Sequence, residues 1–436
     1  MTKKVNVKDT IFQQSNYIKV ATHEGKKSEV KKIVLLYSGG LDTSCMLKWL
    51  QDEYQCELIT LTIDYGQQLE GIYSLEKIKE KALKLGAKKA YILDCKDEFA
   101  EQYLAKGIKA NVKYQGDYHL STPIARPLLA KKAVEIAKKE QADAIAHGCT
   151  GKGNDQVRIE ATALCYNPDI KVIAPVREWS MGRDEEIKYA KKHGIPVPQA
   201  LDKTQDCPYS DDDNMFGVTW EGGEIEDPKL EPKLDKILQV CTPPEKAPDK
   251  KEYVELEFEK GIPTKLNGEQ MKLADLIMKL NKIAGKHGVG YTILIEDRLV
   301  GLKVRGVYEL PAASVIIKAH YNLEKLVSTQ EENFFKETID SKWAYMCYNA
   351  KWMEPTMDHL NAYIESMNQK VTGKVKLSLY KGKAEVVTVD SPNSLFDINL
   401  ATFNKDAKFN QNSSAGFIEI YGLGMKTAYQ VKKDGK

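Results

Sequence analysis

The 436-residue chain carries 64 Lys and Arg against 62 Asp and Glu, a formal charge of +2, so no global field draws it to nucleic acid or to anionic lipid. Apolar residues make up 42% of it, no run approaches the ~18 needed to cross a bilayer, and Met1 to Lys8 has no apolar stretch behind its charges that could serve as a secretory signal. It therefore reads as a soluble cytoplasmic protein of two large domains or three smaller ones, with no membrane and no nucleic-acid partner.

Residues 1–32 hold eight Lys against three acidic residues, so a basic leader precedes a slightly acidic remainder. From residue 33 to about 194, short β-branched runs alternate with helical stretches, the pattern of a parallel sheet covered on both faces. Strands are expected at Ile33–Tyr37, Glu57–Ile63, Ala90–Asp94, Asp143–His147 and Lys171–Ala174. Amphipathic helices are expected at Leu75–Leu85, where Leu75, Ile78, Ala82 and Leu85 recur at helical steps, and from about Thr122 to Lys139. Gly194-Ile195-Pro196-Val197-Pro198 then breaks the pattern.

The second half reads as α+β. Tyr253 to Phe258 alternates with period two, as a half-exposed antiparallel strand does. A helix from about Met271 to Ala284, strands near Tyr291–Glu296 and Leu299–Val304, helices near Glu331–Tyr348 and Met357–Gln369, and a hairpin of Lys374–Leu379 with Ala384–Val389 complete it. The eight Cys (45, 56, 95, 149, 165, 207, 241 and 347) include no two within four residues, so zinc ribbons and Cys-x-x-Cys pairs are excluded. They read as buried thiols, and no metal held by protein ligands is expected.

The first strand runs into Ser38-Gly39-Gly40-Leu41-Asp42-Thr43-Ser44, with a helix beginning at about Thr43. Two glycines permit a close backbone approach, the amides at a helix start face an anion, and Ser38, Thr43 and Ser44 add hydroxyls, so the loop suits a phosphate group. It lacks the Gly-Lys-Ser/Thr of a Walker loop and the Gly-x-Gly-x-x-Gly of a dinucleotide site. The second segment, His147-Gly148-Cys149-Thr150-Gly151-Lys152-Gly153-Asn154-Asp155-Gln156-Val157-Arg158, follows the fourth strand. There Thr150, Asn154, Asp155 and Arg158 offer a hydroxyl, an amide, a carboxylate and a guanidinium. A helix starting near Asn154 places Asn154 and Arg158 one turn apart, a set suited to a zwitterionic amino acid.

The first loop resembles that of the ATP pyrophosphatases, which cleave ATP between the α and β phosphates, and its Leu-Asp-Thr-Ser ending resembles the argininosuccinate synthase family. Thr150-Gly151-Lys152-Gly153-Asn154-Asp155 matches that family without a gap. Tyr209-Ser210-x-Asp212-x-Asn214, Glu221-Gly222-Gly223, Gly285 to Gly290, Glu296-Asp297-Arg298 and Arg305-Gly306-Val307-Tyr308 match it too.

The resemblance implies an ATP-pyrophosphatase nucleotide-binding domain (31–194) behind the leader (1–30), an α+β synthetase domain (195–410), and a tail (411–436) that serves as an oligomerisation arm of a homotetramer. It implies ATP as co-substrate with Mg2+, citrulline and aspartate as substrates, and a place in arginine biosynthesis. ATP would meet Tyr37, the Ser38–Ser44 loop with Asp42, the backbone of Ile63, Gly148 and Asp212. Aspartate would meet Thr150, Asn154 and Asp155. Citrulline would meet Tyr118, Thr122, Asn154, Arg158, Ser210, Thr219, Glu221, Glu296 and Tyr308, with Asp42, Asn154, Asp155 and Arg158 closest to the chemistry. Many members read Leu-Gly-Thr-Ser where this chain has Leu120-Ser121-Thr122-Pro123, so a hydroxyl expected at 123 is missing and Thr122 stands in for it. The alternative is another adenylating ligase of the same superfamily or a tRNA thiolase; thiolases need a reactive Cys pair and a basic RNA surface, which the chain after residue 32 lacks.

Overall fold

The computed structural model describes residues 27–67, 74–179, 181–195, 209–402 and 408–435. Within it β1 (Lys32–Leu36), α1 (Leu41–Tyr54), β2 (Glu57–Asp64), α2 (Leu75–Lys84), β3 (Lys89–Asp94), α3 (Ser121–Glu140), β4 (Ala144–Ala146), α4 (Asp155–Tyr166), β5 (Lys171–Ile173) and α5 (Arg183–Lys192) follow in order. The five strands form a parallel sheet in the order β3-β2-β1-β4-β5. All five expected strands are present within a residue or two. The order reverses at β1, which makes the crevice between the carboxyl ends of β1 and β4 the place where such a sheet holds ligands. The break expected at Gly194–Pro198 lies, from Pro196 on, outside the described residues.

The period of two along β1 decides what each face packs against. Ile33 and Leu35 lie against Met46, Leu47 and Leu50 of α1 and Ile78 of α2. Val34 and Leu36 belong to a larger core that runs on into the second half of the chain through Ile124, Met215, Leu276, Tyr308 and Trp343. The two halves thus share apolar packing as well as polar contacts.

The second half holds β6 (Tyr209–Asn214), β7 (Gly217–Gly222), β8 (Glu252–Glu259), β9 (Ile262–Leu266), β10 (Glu269–Gln270), α6 (Leu273–Lys286), β11 (Tyr291–Asp297), β12 (Lys303–Glu309), α7 (Pro311–Val327), α8 (Gln330–Tyr348), α9 (Pro355–Asn368), β13 (Gly373–Tyr380), β14 (Lys383–Asp390) and α10 (Ser413–Lys433). Two antiparallel sheets result, β10-β9-β8-β13-β14 and β11-β12-β7-β6. The strand expected at Leu299–Val304 is displaced: Leu299 to Leu302 form the turn of the β11–β12 hairpin, closed by Arg298 N–H on the Leu302 carbonyl at 2.7 Å with Gly301 at φ +85°. Of the seven cysteines described, all free, Cys45, Cys95, Cys241 and Cys347 are buried, whereas Cys56 and Cys149 are half-buried and Cys165 is exposed. Among the described residues no helix is long and apolar enough to cross a membrane.

Candidate active site

The first loop leaves β1 with Tyr37 buried beneath it and enters α1 with Gly40 as N-cap and no side-chain cap, so the first amides of α1 remain available. Gly39 sits at φ +80°, and a Cβ there would come within 2.8 Å of Ile78. The three hydroxyls divide. Ser38 Oγ and Thr43 Oγ1 lie 3.2 Å apart at the accessible rim. Ser44 points inward, donating to the Gly40 carbonyl at 2.6 Å and lying 3.0 Å from the Tyr37 hydroxyl. Its hydroxyl therefore braces the loop from within. Asp42 is exposed in the first turn of α1.

Loop two leaves β4 beside loop one: a Cβ on Gly148 would strike Met46 Cε at 2.8 Å and lie 3.8 Å from Thr43 Cγ2. His147 is fixed by its neighbours, Nδ1 accepting from the Cys149 amide at 3.2 Å and Nε2 lying 3.0 Å from Glu160. Thr150 is exposed at the tip. Ile63 is buried at the end of β2, where its carbonyl accepts from Gln67 Nε2 at 3.0 Å.

Asn154 opens α4 but does not cap it with its side chain. Its Oδ1 accepts from Leu299 N–H at 2.8 Å and its Nδ2 donates to the Tyr348 hydroxyl at 2.9 Å, so it ties the two halves together. Arg158 is buried, with Nε and Nη2 donating to the Tyr348 carbonyl at 3.0 and 2.9 Å and Nη1 to Asp155 Oδ1 at 2.8 Å. Its guanidinium carbon lies 4.8 Å from the Tyr348 ring centre, and Tyr114 stacks on that ring at 3.8 Å. Three of five N–H groups are thus committed, leaving one on each terminal nitrogen.

Arg126 bridges Asp155 Oδ2, at 2.7 Å, and Asp212 of β6, which it contacts closely. Burial alone would raise the Asp155 carboxyl, but Arg126 and Arg158 outweigh it and hold the group below its ordinary range. Tyr118 and Tyr308 stack obliquely with ring centres 4.4 Å apart, and burial pushes both phenols up. A Cβ on Gly306 would lie 2.7 Å from the Tyr308 hydroxyl, so only glycine lets that ring lie along the sheet. Thr219 pairs with Tyr308 across β7 and β12 and with Asp212 across β6, and its Oγ1 is 3.4 Å from that of Thr122. Ser210 lies opposite Glu221, which contacts Arg298.

Glu296 is buried on β11; burial raises its carboxyl, Arg158 pulls it back, and Glu221 adds to the rise. Among the described residues eight buried side-chain polar atoms make no hydrogen bond, and four of them, Ser121 Oγ, Arg126 Nε, Glu296 Oε2 and Tyr308 Oη, belong to this cluster. That concentration marks a polar ligand's surroundings. Pro123 occupies the first turn of α3, where its missing N–H forfeits no helical bond.

Tyr118, Thr122, Asn154, Asp155, Arg158, Asp212, Thr219, Glu296 and Tyr308 are therefore joined in one cluster across the two halves. Arg126 and Tyr348 complete it and were missed from sequence. Arg126 stands four residues after Thr122 on one expected helix, a detectable spacing; Tyr348 ends a distant helix and gives no local signal.

Residues 32–196 match the arginosuccinate synthase N-terminal HUP domain and residues 209–428 the arginosuccinate synthase C-terminal domain. The chain belongs to the argininosuccinate synthase family. It is 50% identical over 400 residues to the argininosuccinate synthase of Pyrococcus furiosus, covering 92% of this chain and 95% of the relative. It is 50% identical over 397 residues to that of Thermoanaerobacter pseudethanolicus (91% and 95%), and 46% over 404 to that of Carboxydothermus hydrogenoformans (92% and 98%). The parallel sheet is the family's HUP domain, and both loops of the cleft lie in it.

Proposed function

We propose that the chain ligates citrulline to aspartate at the expense of ATP, releasing AMP and pyrophosphate. The observation that carries this reading is family membership over nearly the whole chain, with the two motif loops side by side at the sheet's switch point. The ureido oxygen of citrulline attacks the α-phosphorus, and the bond to the bridging oxygen breaks with its electron pair leaving on pyrophosphate. The aspartate amine then attacks the ureido carbon of the citrulline adenylate and expels AMP. Positioning and charge neutralisation supply the rate, because no side chain need form a covalent bond.

In this reading the α1 amides and the Ser38 and Thr43 hydroxyls receive the pyrophosphate, the Ile63 backbone and Gly148 flank the nucleoside, and Asp212 closes the nucleotide side. Thr150, Asn154 and Asp155 hold aspartate. Citrulline meets Tyr118, Thr122, Ser210, Thr219, Glu221, Glu296, Tyr308 and the two uncommitted N–H groups of Arg158. Among the described residues no three acidic, His or Cys side chains converge on a metal. An Mg2+ carried in on the triphosphate would keep most of its waters, and Asp42, exposed in the first turn of α1, would be the carboxylate at the loop to meet it. The ion would neutralise phosphate charge.

We assign 31–194 to nucleotide binding, 195–410 to the amino-acid substrates, and 411–436 to assembly as a homotetramer. α10 supports the last: its 21 residues include none buried, and Phe417, Ile420, Tyr421 and Leu423 are exposed. Release of pyrophosphate that requires ATP and citrulline, with AMP and argininosuccinate accumulating once aspartate is added, tests the reaction. Release with tRNA or glutamine but without these two substrates would overturn it.

A further inference from the structure

The phosphate loop carries one contact made by a residue with no role so far. Lys81, on α2, donates from Nζ to the Gly39 carbonyl at 2.8 Å. The side chain is half-buried, burial lowers its pKa, the Cys45 thiol is the one ionisable group opposing that, and no carboxylate among the described residues pairs with it. An ammonium desolvated without a counter-charge works against folding. Its place beside an anion loop gives that cation a use.

Geometry shows the use. In a trans peptide the C=O and N–H point in opposite directions, so tying the Gly39 carbonyl to Lys81 turns the Gly40 amide away from α2. The Gly40 amide indeed points to Ser38 Oγ, 3.3 Å away at the rim, where Ser38 and Thr43 meet. Glycine on both sides makes this peptide easy to flip, and the flipped form would aim a carbonyl at the phosphates. Helix α2 is close enough to prevent this, because Ile78, one turn before Lys81, already lies within 2.8 Å of where a Gly39 Cβ would be.

We propose that Lys81 is a positioning residue for pyrophosphate: it locks the Gly39–Gly40 peptide with its amide toward the anion and places a positive charge behind the loop. The proposal rests on the assignment of this loop to ATP and deepens it. When the bond between the α-phosphorus and the bridging oxygen breaks, the electron pair stays on pyrophosphate, whose charge rises by one. The Gly40 amide donates to it, the Lys81 ammonium offsets it across one peptide, and no proton leaves Lys81.

The test is calorimetric titration of inorganic pyrophosphate and of ATP onto the full chain, its Lys81→Met variant, which keeps the aliphatic stem, and Lys81→Arg, with thermal melts alongside. Lys81→Met is expected to weaken both ligands about tenfold, the order of one charge-assisted contact, with an unchanged or higher melting temperature and unchanged KM for citrulline and aspartate. Lys81→Arg is expected to restore most of the affinity. Undiminished pyrophosphate binding in Lys81→Met would overturn the inference, and so would a loss that tracks a lower melting temperature and is not rescued by Arg. Because pyrophosphate binding is read without turnover, a wild-type chain that binds it yet fails to consume citrulline would refute the proposed reaction and leave the role of Lys81 standing.

Discussion

Replacing Glu296 with Gln should damage citrulline binding while leaving the protein at least as stable. The carboxylate is buried on an edge strand, its Oε2 makes no hydrogen bond among the described residues, and burial holds its pKa above the ordinary glutamate value. A carboxyl raised in the folded state adds stability that is fully present below its unfolded pKa and is lost as pH rises through the folded one. At neutral pH the ionised group therefore opposes folding, and the isosteric amide removes that opposition. Under the proposed assignment of Glu296 to citrulline, what the amide cannot do is meet the substrate's ammonium with a full charge. A charge-assisted hydrogen bond contributes about 1.5–3 kcal/mol, which at 1.36 kcal/mol per tenfold corresponds to a citrulline KM raised about 10- to 150-fold. Pyrophosphate release is followed with citrulline varied at saturating ATP and aspartate, and melting is recorded between pH 5 and 8. The ATP KM should hold, and the melting temperature of Glu296→Gln should equal or exceed that of the wild type, by more as pH rises. An unchanged citrulline KM, an equal rise for ATP, or a lower melting temperature would refute the assignment.

Three further outcomes are expected. Arg126→Met leaves Asp155 with Arg158 alone and takes from Asp212 the guanidinium it contacts, so it should lower the melting temperature and raise the KM of both aspartate and ATP; a stability loss with both constants intact would make Arg126 purely structural. Asp340 lies between Lys336 Nζ, at 2.5 Å, and Asn111, near Glu324 and His320, and burial pushes its carboxyl up to about 7. Its stabilising contribution is present below the ordinary aspartate pKa and lost as pH rises through about 7. Asp340→Asn should accordingly gain in melting temperature relative to wild type between pH 4 and 8, and a constant difference would show that Asp340 does not titrate there. Removing residues 413–436 should reduce the light-scattering mass from four chains to fewer; an unchanged mass would place the assembly contacts elsewhere.

What could be read from sequence depended on how local the signal was. β1 to β5 were legible because Ile33–Leu36 and its counterparts are β-branched runs between amphipathic helices, and α1 followed from the glycines before it. α7 was not, although Ser314, Lys318, Tyr321, Asn322 and Lys325 recur at helical steps on its less buried face, because the β-branched run Val315-Ile316-Ile317 at its centre favours a strand locally and masks that period. β6 reads Tyr-Ser-Asp-Asp-Asp-Asn, a composition with low strand propensity that pairing with β7 overrides. In the site, the loops after β1 and β4 declared themselves by residue type at fixed spacing. The Tyr348 carbonyl that anchors Arg158 could not, since 190 residues separate them and a backbone acceptor has no sequence signature.

The reaction's central claim is that the ureido oxygen of citrulline bonds to the α-phosphorus. Supplying citrulline labelled with 18O at the ureido oxygen, together with ATP and aspartate, tests it directly by mass spectrometry of the products. The label is expected in the phosphate of AMP and absent from argininosuccinate and pyrophosphate. Unlabelled AMP formed alongside argininosuccinate would contradict a citrulline adenylate and with it the account of the cleft.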